Sequence, residues 1–294
     1  MSFVTLRLFC AVAQSGSITK GAATCHLALS AASRRLSDFD AAAGTPLFER
    51  SAQGVWLTPA GRIALQHATR LLHSFEHLSA ELADYSEGYR GHVRLWANMS
   101  SLTEFLPSAL STFLGAHPEI RVDIEEHLSG DIVRGLVSEL ADVGVFAAGT
   151  STEGLSLTPF RTDELVLVCA LTHPLAALKQ LSFASCLDYD FVGLNQGSSL
   201  LELIMGAAAE ADRPLRLRVQ VRSFDAMSQM IAANLGVGVM PIGACQVLLK
   251  PRGLRAIRLS DAWAHRQLLL GYAAEKPLSP AARALVDSLL TPVD

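Results

Sequence analysis

No stretch of this 294-residue chain runs for about eighteen residues without a polar break, so nothing in it reads as a membrane-spanning helix. The apolar tract from Ile231 to Cys245 is interrupted by Asn234, by three glycines and by Pro241. The N-terminus lacks a basic region followed by a long apolar run, so no secretory leader is expected. Cysteine is sparse and odd in number: Cys10, Cys25, Cys169, Cys186 and Cys245 are scattered, with no CxxC and no Cys/His spacing suited to zinc. They read as small buried hydrophobes, with a redox-sensing pair as the alternative. The nine histidines show no metal-ligand spacing, and His173 before Pro174 reads as a turn residue. There is no P-loop, no GxGxxG after a strand, no HExxH and no GxSxG. These absences point away from an enzyme, a metal site or a bound cofactor, and towards a soluble cytoplasmic protein. The net charge of −4 gives no hint of nucleic acid.

The distribution of charge does. Residues 1 to 66 carry Arg7, Lys20, Arg34, Arg35, Arg50 and Arg62 against Asp38, Asp40 and Glu49, a balance of +3 that leaves −7 on the rest. A basic end on an acidic body suits a protein that binds DNA at one end only. Phe3, Leu6, Phe9, Cys10 and Ala13 recur at helical spacing and predict a supporting helix over 3–14. Ser15-Gly16-Ser17 breaks it, Ser17 is placed to cap a second helix, and small Ala22 and Ala23 let two helices cross closely. A third helix is predicted from about Ala28 to Ala43, with Ala32, Leu36, Phe39 and Ala43 inward and Gly44 at a left-handed C-terminal position. Ser30, Ser33, Arg34 and Ser37 then point outward. Phe48–Arg50 and Val55–Leu57 suit a short hairpin, after which Thr58 caps a helix with Pro59 in its first turn. Two short helices, an exposed third and a wing are how a chain presents one helix to the major groove.

This segment resembles the winged helix-turn-helix of the LysR-type transcriptional regulators, from Phe3 to about Gly61 without a gap. Leu47-Phe48-Glu49-Arg50 and Leu57-Thr58-Pro59-Ala60-Gly61 are its most specific elements. The resemblance implies that residues 28 to 35 (Ala28, Leu29, Ser30, Ser33, Arg34 and Arg35 among them) enter the major groove. It also implies that the wing, with Arg50 and Gln53, reaches backbone or minor groove. Ser33, Arg34 and Arg50 match family positions that contact DNA. One departure stands out. The family usually has Ser-Gln-Pro where this chain has Ala28-Leu29-Ser30. Leucine neither donates nor accepts a hydrogen bond, although it can touch a thymine methyl. DNA shape is therefore expected to carry more of the specificity.

From Ala64, apolar residues fall at Ala64, Ala68, Leu71, Phe75, Leu78, Leu82, Tyr85 and Tyr89, in alternating steps of four and three. That is a heptad seam, widened by Leu65 and Leu72 and ended by Gly88 and Gly91. It predicts a linker helix over 59–89 pairing with its mate through Leu71, Phe75, Leu78, Leu82 and Tyr85. The alternative is an amphipathic helix packed on its own domain. The resemblance implies the same pairing, in a homodimer or a homotetramer made of two dimers.

Residues 92 to 294 alternate strand-like and helix-like runs, which predicts an α/β domain with parallel sheets covered by helices. Such domains bind ligands at strand carboxyl ends, against helix N-termini. Two junctions are alike. Asn98-Met99-Ser100-Ser101 leads to Glu104, and Asn195-Gln196-Gly197-Ser198-Ser199 leads to Glu202; in each, an asparagine and a Ser-Ser pair precede an apolar helix. Capping boxes of Ser101 with Glu104 and of Ser199 with Glu202 are expected, which frees Ser100 and Ser198 for a ligand. Ser223 stands at a third helix start. This half is similar to the LysR-type effector-binding domain of periplasmic-binding-protein fold. The similarity is carried by Glu139-Leu140-Ala141-Asp142-Val143-Gly144-Val145, Asp163-Glu164-Leu165-Val166-Leu167-Val168, His173-Pro174-Leu175 and the run from Ala232 to Pro241.

The resemblance implies an all-α winged helix-turn-helix over 1–58, the linker over 59–89 and a two-subdomain effector domain over 92–294. Subdomain I would take 92–161 and 268–294, and subdomain II 162–267. The effector would lie between them, at positions matching Asn98, Ser100, Ser101, Phe146, Gly197, Ser198 and Ser223. Helix N-termini favour negative charge, so a small carboxylate or other anion is the expected effector; Arg161, Arg222 and Arg266 are candidate partners for it. The chain is thus expected to be an effector-controlled regulator acting on a promoter operator of interrupted dyad symmetry in double-stranded DNA, with RNA polymerase as a further partner. An enzyme with a DNA-binding appendage would turn its ligand over. A plain solute-binding module would leave the wing and heptads unexplained, and an architectural DNA binder would respond to no ligand.

Overall fold

The computed structural model describes residues 2–51, 54–86 and 91–291. The chain divides into two compact units, Met1–Gly88 and Tyr89–Asp294.

Unit 1 contains α1 (Phe3–Ser15), α2 (Ile18–Thr24), α3 (Leu29–Ala43), a hairpin of β1 (Phe48–Ser51) and β2 (Gly54–Leu57), and the long α4 (Pro59–Ser86). Local chemistry sets the element ends. Ser2 and Ser17 accept from the backbone N–H groups of Thr5 and Lys20, and Thr58 Oγ1 accepts from Gly61 N at 2.9 Å. Gly16 and Gly44 end α1 and α3 in the left-handed region, at φ 62° and 69°. The α1–α2 crossing is closed by Gly21, where a methyl would overlap Val12, and by buried Ala22. Ala23, expected at that crossing, is exposed, and so is Ala43 on α3. Leu8, Phe9, Val12, Ala32 and Leu36 form the core, with Phe9 edge-on to Phe39 at 5.3 Å.

The seam of α4 splits in two. Ala64, Leu65, Ala68 and Leu72 pack into the core of unit 1, whereas Leu71, Phe75, Leu78 and Leu82 are exposed. The first two heptad positions are therefore satisfied within the unit, as the alternative for this helix requires. Tyr89 and Gly88 lie outside the described residues, as does Gln53.

Unit 2 opens with β3 (Gly91–Ala97), α5 (Met99–Glu104), α6 (Leu106–Ala116), β4 (Ile120–Glu126), α7 (Ser129–Val137) and β5 (Val143–Ala147). It continues with β6 (Leu155–Ala170), β7 (Gln180–Leu181), β8 (Phe191–Leu194), α8 (Ser199–Glu210), β9 (Leu217–Val221) and α9 (Phe224–Ala232). It ends with β10 (Gly238–Pro241), α10 (Ile242–Leu249), β11 (Leu254–Leu259), β12 (His265–Ala273) and α11 (Pro280–Leu290). The main sheet runs β4-β3-β5-β12-β6-β11-β7, with β10 also on β6, and β8 pairs with β9. β3 is parallel to β4 and β5, but β12 is antiparallel to both β5 and β6. The main sheet is therefore mixed rather than parallel, whereas β8 and β9 are parallel as expected.

The mixture comes from two crossing strands. Phe160 of β6 belongs to a core with Val93, Leu95, Phe113 and Leu285, while its Leu165 to Cys169 belong to a second core with Phe191, Ile204, Met227 and Ile231. β12 contributes Leu268 and Leu270 to the first core, and Ala264 just before it enters the second. Both strands leave one core for the other near Asp163 and Arg266, which are opposite each other in the β6–β12 ladder.

Candidate functional site

In unit 1, the N-terminal end of α3, from Ala28 to Ala31, stands clear of the core. Ala28, Leu29 and Ser30 are exposed, Leu29 to 50%, and Ala28 makes no side-chain cap. Arg34 is exposed, one helical turn beyond Ser30, and Ser33 is half-buried. Arg35 lies on another face: it is half-buried and borders a groove with Ser2, Thr5 and Asp38. Arg50 is paired with Val55 across the hairpin. Trp56, at the other strand, is exposed to 51%.

In unit 2, a cavity of about 220 Å3 opens between the two cores. Asn98, Ser100, His127 and Ser129 line one wall, and Asn195, Ser198, Ser199 and Arg222 line the other. Ser129 Oγ donates to Ser199 Oγ at 3.3 Å, which links the walls. Gly197, at φ 84°, lets the second wall approach the first: a Cβ there would come within 2.8 Å of Leu128 Cδ1. His127 stacks on Trp96 with ring centroids 3.7 Å apart.

Arg266 is the charged centre of this site. It is 7% exposed and lines the cavity. Its Nη2 donates to Ser100 Oγ at 2.7 Å and to the fully buried Asp163 carboxylate. Its Nε and Nη1 are buried without a hydrogen-bond partner, and so is Asn98 Nδ2. Buried donors left unpaired in this way carry a desolvation cost that an acceptor in the cavity would relieve. Burial pushes the Asp163 carboxyl above its ordinary value, against the pull of Arg266. A larger space of about 430 Å3, bordered by Gly149, Glu202, Leu203 and Trp263, adjoins the first through Arg266 and Ser199.

The site residues expected from sequence divide. Asn98, Ser100 and Ser198 line the cavity. Phe146 does not: it is fully buried among Trp96, Ile132 and Leu136, because its position on β5 turns it into the core. Ser101 is also fully buried, donating from N and Oγ to Asn98 Oδ1 at 2.9 and 2.7 Å. Ser223 caps α9 by accepting from Ala226 N, and its neighbour Arg222 reaches the cavity instead. Gly197 shapes the wall without lining it.

Neither expected capping box forms. Asn98, not Ser101, caps α5, and Ser198, not Ser199, occupies the cap position of α8, where it makes no side-chain cap bond. Each helix starts earlier than its box requires: α5 begins at Met99 and α8 at Ser199, so Ser101 and Ser199 are already helical. Glu104 turns to α10, where a methyl at Gly243 would overlap its carboxyl. Of the three candidate arginines, Arg161 donates to the carbonyls of Phe160 and Thr291, and Arg222 is exposed at the cavity. Ser129 went unnoticed in the sequence, although Leu128-Ser129-Gly130 before Ile132 has the form of a strand-to-helix junction.

Burial pushes the thiols of Cys186 and Cys245 up to about 12 and that of Cys169 to about 11, so these cysteines stay protonated and unreactive. Among the described residues, no group of three or more His, Cys, Asp or Glu is placed to hold a metal ion. No described helix is long and apolar enough to cross a membrane.

Two family models match: "LysR substrate binding domain" over residues 86–292, and "Bacterial regulatory helix-turn-helix protein, lysR family" over 3–62. The RuBisCO operon transcriptional regulator of Allochromatium vinosum is 26% identical over 291 residues, covering 99% of this chain and 96% of that one. The full-length CbnR structure with its target DNA superposes with a TM-score of 0.73 at 20% identity, over 98% of this chain and 99% of that one. The regulatory domain of CcmR from Synechocystis PCC6803, in complex with 2-PG (2-phosphoglycolate), gives a TM-score of 0.64 at 21% identity, over 68% of this chain and 96% of that domain. With residues 3–62 matching the helix-turn-helix model and residues 86–292 the substrate-binding model, the chain belongs to the LysR family of bacterial transcriptional regulators.

Proposed function

We propose that a small carboxylate or other anion, held in the cavity of unit 2 by Arg266, Asn98, Ser100 and Ser198, controls how this regulator binds its operator. The observation that carries this is the buried Arg266 guanidinium, with two nitrogens, Nε and Nη1, unpaired beside a polar cavity. The complex of the similar CcmR domain with 2-phosphoglycolate supports the charge class. The two apolar cores, joined by β6 and β12, support subdomains at 92–161 with 268–294 and at 162–267. Opening and closing between them is the two-state element. An effector shifts that equilibrium only through unequal affinity for the two states.

DNA is read by α3, with Ala28, Leu29, Ser30 and Ser33 against base edges and Arg34 on phosphate; Arg50 of the wing adds a backbone contact. Arg35, half-buried beside Ser2, Thr5 and Asp38, takes no part in this contact. Leu71, Phe75, Leu78 and Leu82 place four large exposed apolar side chains on one half of α4, a surface suited to a second copy of the chain. Dimers so formed would span a promoter dyad in the cytoplasm and act through RNA polymerase.

Footprinting on the intergenic DNA beside its own gene tests this, at fixed salt and with random competitor DNA. A discrete site whose length changes with 2-phosphoglycolate or other small carboxylates is expected. Uniform, competitor-sensitive binding that no anion alters would sink the reading. Arg34→Ala is expected to weaken binding to all sequences and lower the salt slope by about one; an unchanged slope removes Arg34 from the phosphate contacts.

A further inference from the structure

We propose that anion binding in this cavity is coupled to a proton: Glu104, on the helix that carries Ser100, takes up a proton when a negatively charged ligand is held. The inference rests on the anionic-effector reading above and names how that site is regulated.

Glu104 belongs to α5, the helix whose first turn carries Ser100, the hydroxyl that Arg266 holds. Its carboxyl lies against Gly243 in the first turn of α10, where any side chain would collide with it. Its Oε2 is buried with no hydrogen-bond partner, and so is Asp163 Oδ1. The groups that face Glu104 come from three elements. Asp163 of β6 and Arg266 of β12 act on it electrostatically, and Cys245 of α10 is near enough to feel its charge. The Cys245 thiol stays neutral, being pushed up to about 12. Two carboxyls therefore share one guanidinium.

The charge count decides the outcome. With both carboxyls ionised, the cluster has one negative charge in excess before any ligand arrives. An anion at Arg266 would then add a third negative group beside this one buried cation, while the exposed Glu126 and Arg222 of the cavity offset each other; desolvation and repulsion oppose that arrangement. Protonating Glu104 removes that excess and leaves the net charge around the guanidinium favourable to the ligand. Burial, reinforced by Asp163 and opposed by Arg266, holds the Glu104 carboxyl at about 7 instead of its ordinary 4.5. The proton is therefore gained and lost within an ordinary pH range. By linkage, a bound anion raises that value further, and proton and anion bind cooperatively.

The test uses the full chain and its Glu104→Gln variant, with sulfate and acetate as probes, since neither changes charge between pH 6.5 and 9. Affinity is measured by calorimetry across that range. His127 also lines the cavity and is present in both proteins, so the difference between them reports Glu104. The expected result is an affinity that falls above pH 7, approaching about tenfold per pH unit, in the natural chain and stays level in Glu104→Gln. A second readout needs no ligand. A carboxyl whose folded value is raised contributes stability fully present below about 4.5 and lost as pH rises through about 7. Denaturant midpoints of the natural chain should therefore drop relative to the variant over that interval. Identical pH dependence of anion affinity in the two proteins overturns the coupling and leaves the anion site standing. No binding of sulfate or acetate to either protein at any pH overturns the anionic reading itself, and the coupling with it.

Discussion

At the start of α5, Asn98 closes the helix by accepting from Ser101, and Ser100 is held by Arg266. At the start of α8, across the same cavity, Ser198 sits in the capping position and makes no side-chain cap bond. The first junction is already wired into a buried ion pair; the second keeps a hydroxyl in reserve. Asymmetry of this kind suits a closing site. On the function proposed above, Arg266 would attract the ligand, and Ser198, beside Arg222, would add a donor from the second wall once a ligand is present.

Replacing the charge tests the wired wall most severely. Arg266→Met leaves Asp163 buried and unpaired, and should cost about 3–5 kcal/mol in a urea titration of unit 2, together with the response to anions. A loss below about 1 kcal/mol would mean that Asp163 simply protonates. Gly197→Ala comes next. It forces a side chain to a positive φ and into Leu128, with an expected cost of about 1–2 kcal/mol; an unchanged midpoint would show that the wall yields freely. Asn98→Ala removes the cap of α5 and should cost about 1 kcal/mol, whereas Ser198→Ala, with no cap bond to lose, should stay within about 0.5 kcal/mol and weaken only anion binding. Equal stability losses at Asn98 and Ser198 would erase the contrast between the walls.

Much of unit 1 was legible because its signals are local. Ser17, Gly44 and Thr58 act within three or four residues of themselves, and each behaves as its sequence context predicts. The exposed face of α3 follows from helical periodicity in the same way. The cavity was only partly legible. Asn98, Ser100 and Ser198 mark strand-to-helix junctions that a sequence displays, but the capping residue depends on where each helix starts, and both start earlier than Ser101 and Ser199 suggest. Phe146 shows the limit of transferring positions: a strand residue faces a cavity or a core according to its register, and here it faces the core.

The α4 helix makes the same point about partners. An uninterrupted heptad pattern fixes the face on which apolar residues lie. It does not fix what covers them, and Ala68 and Leu72 are covered by the unit's own core while Leu78 and Leu82 stay exposed.

By itself, then, the sequence determined the helices of unit 1 and their caps, the exposed start of α3, the α/β character of unit 2 and the family to which the chain belongs. All of these depend on neighbours a few residues apart or on short motifs. Only the tertiary structure decided that Arg266, and not Arg161, is the buried cation of the cavity. It also decided that Asp163 pairs with it and that Glu104 rests on Gly243. Those partners lie roughly 100 residues or more apart in the chain, and the register of β6 against β12 and the packing of α5 on α10 bring them together. Burial then gives the meeting its energetic weight, because charges that water would screen at the surface must there be matched by one another.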